Sequence, residues 1–261
     1  MDSAMFWLQL LTLLLAIMIL LAGLWTLHKV RQLHLASYKI ATDANEARRE
    51  SKQIFAQLQA LHLLEATLQL PYPLPQMRGW AGSPDFLLTV ADNVLTHHPI
   101  TVVECSSGIS TLVLAGCLKM NGAGHVYSLE HEEKYVQKTQ DMLKKYDLEE
   151  WATVLHSPLN RSEHDAMWYD DSVLPGGLKP IEMLVVDGPP GETAPLARLP
   201  ALPRLLPRMA TDVVVVLDDA ARPAESEIVK RWAAMAPSFE LTYLDHEKGC
   251  AVLKRRADRD A

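Results

Sequence analysis

The sequence predicts an α/β protein: a doubly wound, mostly parallel sheet preceded by an apolar helix and a helical stalk. Three observations carry this. Met5 to Leu27 is a stretch of 23 residues without a charge. From Val30 to Leu68 apolar residues recur at 3-4 spacing. After Pro75, short β-rich runs alternate with helical patterns, the mark of βα units.

The apolar stretch is long enough to span a membrane, since about 20 apolar residues cross a bilayer as a helix. Trp7 and Trp25 stand near its ends, about 27 Å apart at 1.5 Å per residue, which fits an interfacial aromatic belt. A cleavable signal is the competing reading. It needs a positive n-region and a small-residue cleavage site, but the chain starts MDSA and no A-x-A follows Leu27. Residues 1–28 therefore read as a retained single-pass anchor. Lys29, Arg31 and Lys39 follow the span and only Asp2 precedes it, so the positive-inside rule places the C-terminal bulk in the cytoplasm, at the inner membrane. Unpaired Cys105, Cys117 and Cys250 agree with a reducing compartment, and are too few and scattered for a disulfide framework or a zinc site.

The stalk, 29–70, carries one seam: Val30, Leu33, Ser37, Ile40, Ala44, Ala47, Ser51, Ile54, Leu58, Leu61, Glu65 and Leu68. A sustained 3.5-residue period predicts a long helix. Two readings stay open: a coiled coil that makes a homodimer, or a single helix leaning on the next domain. Ser37, Ser51 and Glu65 weaken the seam. Prolines 71, 73 and 75 end the helix near Leu70.

Residues 71–256 form the α/β domain, and 257–261 a charged tail. Ser83 to Thr96 reads as a helix capped by Ser83, with Pro84 at its first position. Strand ITVVE, a helix at about 110–120, strand HVYSLE, a helix at 132–146 and strand ATVLH follow. Then come strand EMLVVD, a helix at about 195–208, strand DVVVVLDD, a helix at 223–235 and terminal strands. The chain has 25 basic and 32 acidic residues, a net charge of −7. With no basic block, that balance argues against a nucleic acid partner.

Open α/β sheets bind ligands beyond the carboxyl ends of their strands. The first strand runs through Glu104 into Cys-Ser-Ser-Gly-Ile-Ser-Thr111, whose small residues allow a sharp turn and close ligand approach. The next strand ends in Glu130, where dinucleotide folds place a ribose-binding carboxylate. G-x-G-x-x-G is absent, and Glu104 would repel a pyrophosphate. A nucleoside cofactor with an ammonium group and no phosphate suits two acidic strand ends, and S-adenosylmethionine is such a molecule.

VVECSSGIST, VYSLEHEEKY, MLVVDGPPG and VVVVLDDAAR, in that order, resemble class I S-adenosylmethionine-dependent methyltransferases. The nearest resemblance is to the bacterial family with E-x-G-S-G-x-S-T, D-G-P-P and D-D-A-x-R motifs, and PLPQMRGWAGSPDFLL is similar to its lead-in. It covers about Pro75 to Leu253 and implies a Rossmann-like fold. It further implies that Glu104, Ser106, Ser107 and Gly108 line the methionine end, with Ser110 and Thr111 beginning the helix beside it. Glu130 would bind the ribose, and His156 and Ser157 would sit near adenine. Ser106 replaces the family's first loop glycine and would crowd the methionine moiety.

Asp187 closes one strand, and Asp218 with Asp219 closes the next. Adjacent strands lie about 4.8 Å apart, so these carboxylates can converge. A cation such as Mg²⁺ would relieve their repulsion, and Asp187 or Asp218 could take a proton. This is similar to the metal-dependent sugar O-methyltransferases such as macrocin O-methyltransferase. The implied acceptor is a hydroxyl on a small molecule or glycan, including a lipid-linked one. Arg222 is expected to pair with an acidic substrate or with Asp219. Trp168 and Tyr169 are candidates for a substrate wall, or else they pin their loop. His131, His164 and His246 read as surface residues, and Cys105 as packed. The alternative to an enzyme is a membrane-tethered coiled-coil assembly protein with a degenerate domain.

Overall fold

The computed structural model describes residues 2–77, 79, 81–161 and 167–255. The 257–261 tail, His164, and Arg78 and Trp80 of the lead-in lie outside the described residues. One helix, α1 (Asp2–Leu68), covers both the apolar stretch and the stalk without a break. The chain divides into two compact units, Met1–Phe55 and Ala56–Ala261. In the first, Trp7–Ala41 is long and apolar enough to cross a membrane, and its apolar side chains are exposed. In the second, the last turns of α1 bury Ala60, Leu64 and Leu68. Ala60 and Leu64 lie off the predicted seam, because this stretch packs against its own domain. The domain therefore begins within the predicted stalk.

The remaining elements are α2 (Pro84–His97), β1 (Thr101–Cys105), α3 (Ile109–Asn121), β2 (His125–Glu130), α4 (Glu133–Lys145) and β3 (Ala152–His156). They continue with β4 (Leu159–Arg161), β5 (Met167–Tyr169), β6 (Ile181–Val186), α5 (Ala201–Leu205), β7 (Met209–Asp218), α6 (Pro223–Met235), β8 (Phe239–Leu244) and β9 (Cys250–Arg255). Among the described residues the main sheet has seven strands in the order β3-β2-β1-β6-β7-β9-β8. The first five are parallel, and β9 is antiparallel to both β7 and β8. This is the Rossmann-like, mostly parallel sheet the alternating pattern predicts.

Strands covered on both faces read as continuous apolar runs. Val102, Met183, Val185, Val214 and Val216 point to the core shared with α2 and α3, where Phe86, Leu87 and Leu112 lie. Val103, Leu184, Val186, Val215 and Leu217 point to the opposite core, with Leu202, Ile228 and Trp232. The helix expected at about 195–208 is reduced to α5 and a 3₁₀ turn, Leu206–Arg208. Pro195, Pro200, Pro203 and Pro207 deny it the backbone donors of a longer helix.

Strand order reverses between β1 and β6. There the backbone N–H of Asp187 donates to the Cys105 carbonyl (3.1 Å), so the two strand ends open side by side.

Candidate functional site

A cavity of about 680 Å³ opens at that switch point. Its first wall is the β1 loop. Ser106, Ser107 and Gly108 line it, as the strand-end pattern predicts. Ser106 has φ +143° and Gly108 φ +138°, a region that disfavours side chains. A Cβ on Gly108 would meet nothing within 4 Å, so its backbone faces open space. The Ser106 hydroxyl is buried with no partner.

Glu130 lines the cavity at the end of β2. Its Oε2 accepts from the Ser107 hydroxyl (2.8 Å) and its Oε1 from the Glu132 N–H (3.0 Å). Burial pushes its pKa up, but the bonds from His131, Glu132 and Ser107 prevail and hold it below the ordinary value. Oε2, with Ser107 as its donor, keeps a lone pair for a ligand hydroxyl. These bonds thus leave an anionic acceptor beside a small-residue loop, which fits a ribose-bearing cofactor. His131, expected at the surface, also lines the cavity, with Nδ1 3.0 Å from Glu130 Oε1.

Other expected cofactor residues lie elsewhere. Glu104 is fully buried inside the sheet, where its Oε2 accepts from Thr111 (2.6 Å) and Ser128 (2.5 Å). Burial pushes its pKa up to about 7. Thr111 in turn accepts from the Gly108 N–H (3.1 Å), which ties the loop to α3. Ser110 is buried as well. These three support the loop from behind and do not line the cavity. His156 and Ser157 do not line it either. The Ser157 N–H donates to the Glu130 carbonyl (2.7 Å) and its hydroxyl to the Asp170 carbonyl (3.0 Å), which turns the chain away. His156 pairs with Glu133 (3.1 Å). The wall beyond Glu130 is made by His131, Glu132 and Tyr135.

Trp168 and Tyr169 lie in β5, paired with β4, and both are buried. Trp168 packs in the core, while Tyr169 reaches the cavity. A Cβ on Gly188 would collide with the Tyr169 hydroxyl. Cys105 is buried, and burial pushes its thiol pKa far up. His246 is half-buried and reaches the Thr89 hydroxyl (3.3 Å).

The second wall is acidic. Oxygens of Asp187, Asp218 and Asp219 lie within 4.8 Å of one another, so the three strand-end carboxylates converge. Asp187 and Asp219 line the cavity; Asp218 is buried behind them with both oxygens unpartnered. Burial raises the Asp187 pKa; Asp219 adds to the rise and Arg198 opposes it. Burial raises Asp218 too, helped by Asp187 and Asp219.

The residue that strand-end logic missed is Arg198. It is buried, and its Nη2 donates to Asp219 Oδ2 (2.9 Å) and Asp187 Oδ1 (3.4 Å), while Nη1 donates to the Asp218 carbonyl (3.1 Å). Arg222 adds Nη1 to Asp219 Oδ2 (2.8 Å), the pairing weighed from sequence. The carboxylates converge as a hard cation would need. With a guanidinium between Asp187 and Asp219, however, the resting arrangement does not fit a divalent ion. The signal for Arg198 was its place in PLARLPAL, residues 195–202: a lone cation among aliphatic residues implies a buried partner.

Residues 103–220 match the family described as a methyltransferase domain, a span from β1 to just past β7. Solved structures of similar fold include the O-methyltransferase from Bacillus cereus in complex with SAH. It is 16% identical with a TM-score of 0.55, over 77% of this chain and 91% of that one. The O-methyltransferase TomG from Streptomyces achromogenes, solved with SAM, is 15% identical with a TM-score of 0.54, over 79% and 96%. SAH-bound PaMTH1 of Podospora anserina is 14% identical with a TM-score of 0.51, over 76% and 88%. No curated protein matches the chain.

Proposed function

We propose that this chain is a membrane-anchored, S-adenosylmethionine-dependent O-methyltransferase. Its acceptor is a sugar hydroxyl on a glycan or lipid-linked molecule at the cytoplasmic face. The observation that carries this reading is the cavity itself, with the Ser106–Gly108 loop and Glu130 on one wall and Asp187 on the other. The methyltransferase-domain match across these same elements supports it. So do the SAM and SAH complexes of proteins with this fold.

S-adenosylmethionine, when bound, supplies an electrophilic methyl group on a sulfonium. The Ser106–Gly108 backbone and the Glu130 carboxylate would hold it, Glu130 through the ribose hydroxyls. Asp187 Oδ1 is held by Arg198, leaving Oδ2 to take the proton of the acceptor hydroxyl as the new C–O bond forms and the C–S bond breaks. Tyr169 and Gly188 close the floor beneath. Tethering by the Trp7–Ala41 helix would keep the domain at high effective concentration near a membrane-bound acceptor.

The test is transfer of labelled methyl from S-adenosylmethionine to a membrane fraction by the detergent-solubilised chain. The expected product is an O-methyl sugar in the hydrolysed lipid-linked or glycan fraction. Label confined to protein, or no label, would refute the acceptor class.

A further inference from the structure

Arg198 is a charged side chain in an aliphatic loop, yet only 3% exposed. Its loop is pinned by Trp232, whose Nε1 donates to the neighbouring Leu199 carbonyl (2.9 Å). The guanidinium therefore has little freedom to swing away. Besides its bonds to Asp187, Asp219 and the Asp218 carbonyl, its Nε lies 3.9 Å from Glu225 Oε1. A divalent ion shared by the three aspartates would need an oxygen of each at roughly 2.0–2.6 Å. Asp219 Oδ1 and the Asp218 carboxylate are unpartnered, but an ion there would sit among carboxylates that Nη2 already bridges through Asp187 Oδ1 and Asp219 Oδ2. It would then stand against Nη2, and two cations in a low-dielectric pocket repel strongly. Arg222 already shares Asp219 Oδ2, which adds a second positive charge on that carboxylate.

We propose that Arg198 is the resident cation of the acidic wall: a positioning residue that holds Asp187 and Asp219 where a divalent metal would otherwise sit. The pocket that meets the acceptor hydroxyl is thus metal-free. The planar fork suits this task, because one nitrogen bridges two carboxylates while another takes a carbonyl. The part played in methyl transfer rests on the reading above; the exclusion of a metal does not.

The test uses Mn²⁺ alone as probe, read by electron paramagnetic resonance on the full chain in detergent micelles. Wild type should leave the free Mn²⁺ signal unchanged, with no site tighter than about 100 µM, roughly tenfold weaker than the weak end of carboxylate sensor sites. Arg198→Ala leaves buried carboxylates uncompensated and should tighten Mn²⁺ binding at least about tenfold, an effect abolished by adding Asp187→Asn. One Mn²⁺ bound per wild-type chain would overturn the proposal. So would a folded Arg198→Ala chain that still ignores Mn²⁺. Circular dichroism reports folding, and should the alanine variant not fold, the wild-type titration decides alone. Calorimetry with S-adenosylhomocysteine on the same samples separates the two readings. Mn²⁺ binding together with cofactor binding defeats only the metal-free pocket, whereas absence of cofactor binding defeats the methyltransferase.

Discussion

The two walls of the cavity treat their acidic side chains in opposite ways. On the β1–β2 wall, Glu130 is held by the Ser107 hydroxyl, a backbone N–H and the His131 ring, and behind that wall Glu104 Oε2 is held by Thr111 and Ser128. On the β6–β7 wall, guanidinium groups hold Asp187 and Asp219, and the Asp218 carboxylate has no partner among the described residues. A carboxylate held by neutral donors keeps lone pairs to bind ligand hydroxyls. One held by a buried cation stays anionic where a proton must be taken. In the proposed function the first wall binds the cofactor and the second carries the chemistry.

If so, substitutions on the second wall should strike turnover hardest. Asp187→Asn should lower methyl transfer by about 10²–10⁴-fold, the usual worth of a general base. Cofactor affinity, measured by calorimetry, should stay within roughly threefold. Wild-type transfer should fall as pH drops, because Asp187 must be ionised to accept a proton. Burial raises its pKa, so the loss should set in above the range of an ordinary aspartate. A pH–rate profile checks this, and an acid limb at an ordinary aspartate value would assign the base elsewhere.

On the first wall the effect should appear in binding. Glu130→Ala should weaken S-adenosylhomocysteine by about 10–100-fold, the loss of hydrogen bonds to a charged group. Turnover at saturating cofactor should change far less. Equal losses in both would erase the contrast between the walls.

Glu104 tests the layer behind the loop. Its pKa is raised by burial from 4.5 to about 7 in the fold. The stability this group contributes is present at acid pH and is lost as pH rises from about 4.5 through about 7. Glu104→Gln lacks that titration and should be more stable than wild type at pH 8 by about 1–3 kcal/mol, with little difference at pH 4. Denaturation at the two pH values measures it. The smallest effect belongs to Ser106→Gly, which relieves a positive φ and should raise stability by about 1 kcal/mol, roughly 2–4 °C in Tm.

Much of the fold was legible because its signals are local. Pro84 and Pro223 mark the first residues of α2 and α6, and the apolar runs of β1, β6 and β7 mark strands buried on both faces. The loop and Glu130 were legible because strand ends face the switch point. What failed depended on contacts distant in sequence. Strand-end logic cannot tell a residue that faces the cavity from one that faces the sheet, so Glu104 was placed in the site that it only supports. His156 and Ser157 end a strand two places from the switch point, where the chain turns toward Asp170. Arg198 was hidden because a helix at about 195–208 does not show which of its side chains turn inward; four prolines instead fold that segment into turns that deliver it to the aspartates.

The most direct test is calorimetric titration of the detergent-solubilised chain with S-adenosylhomocysteine. The expected result is saturable one-to-one binding, weakened by Glu130→Ala and unchanged by Asp187→Asn. A chain that stays folded but shows no binding would contradict a methyltransferase and leave a membrane-tethered assembly role as the reading.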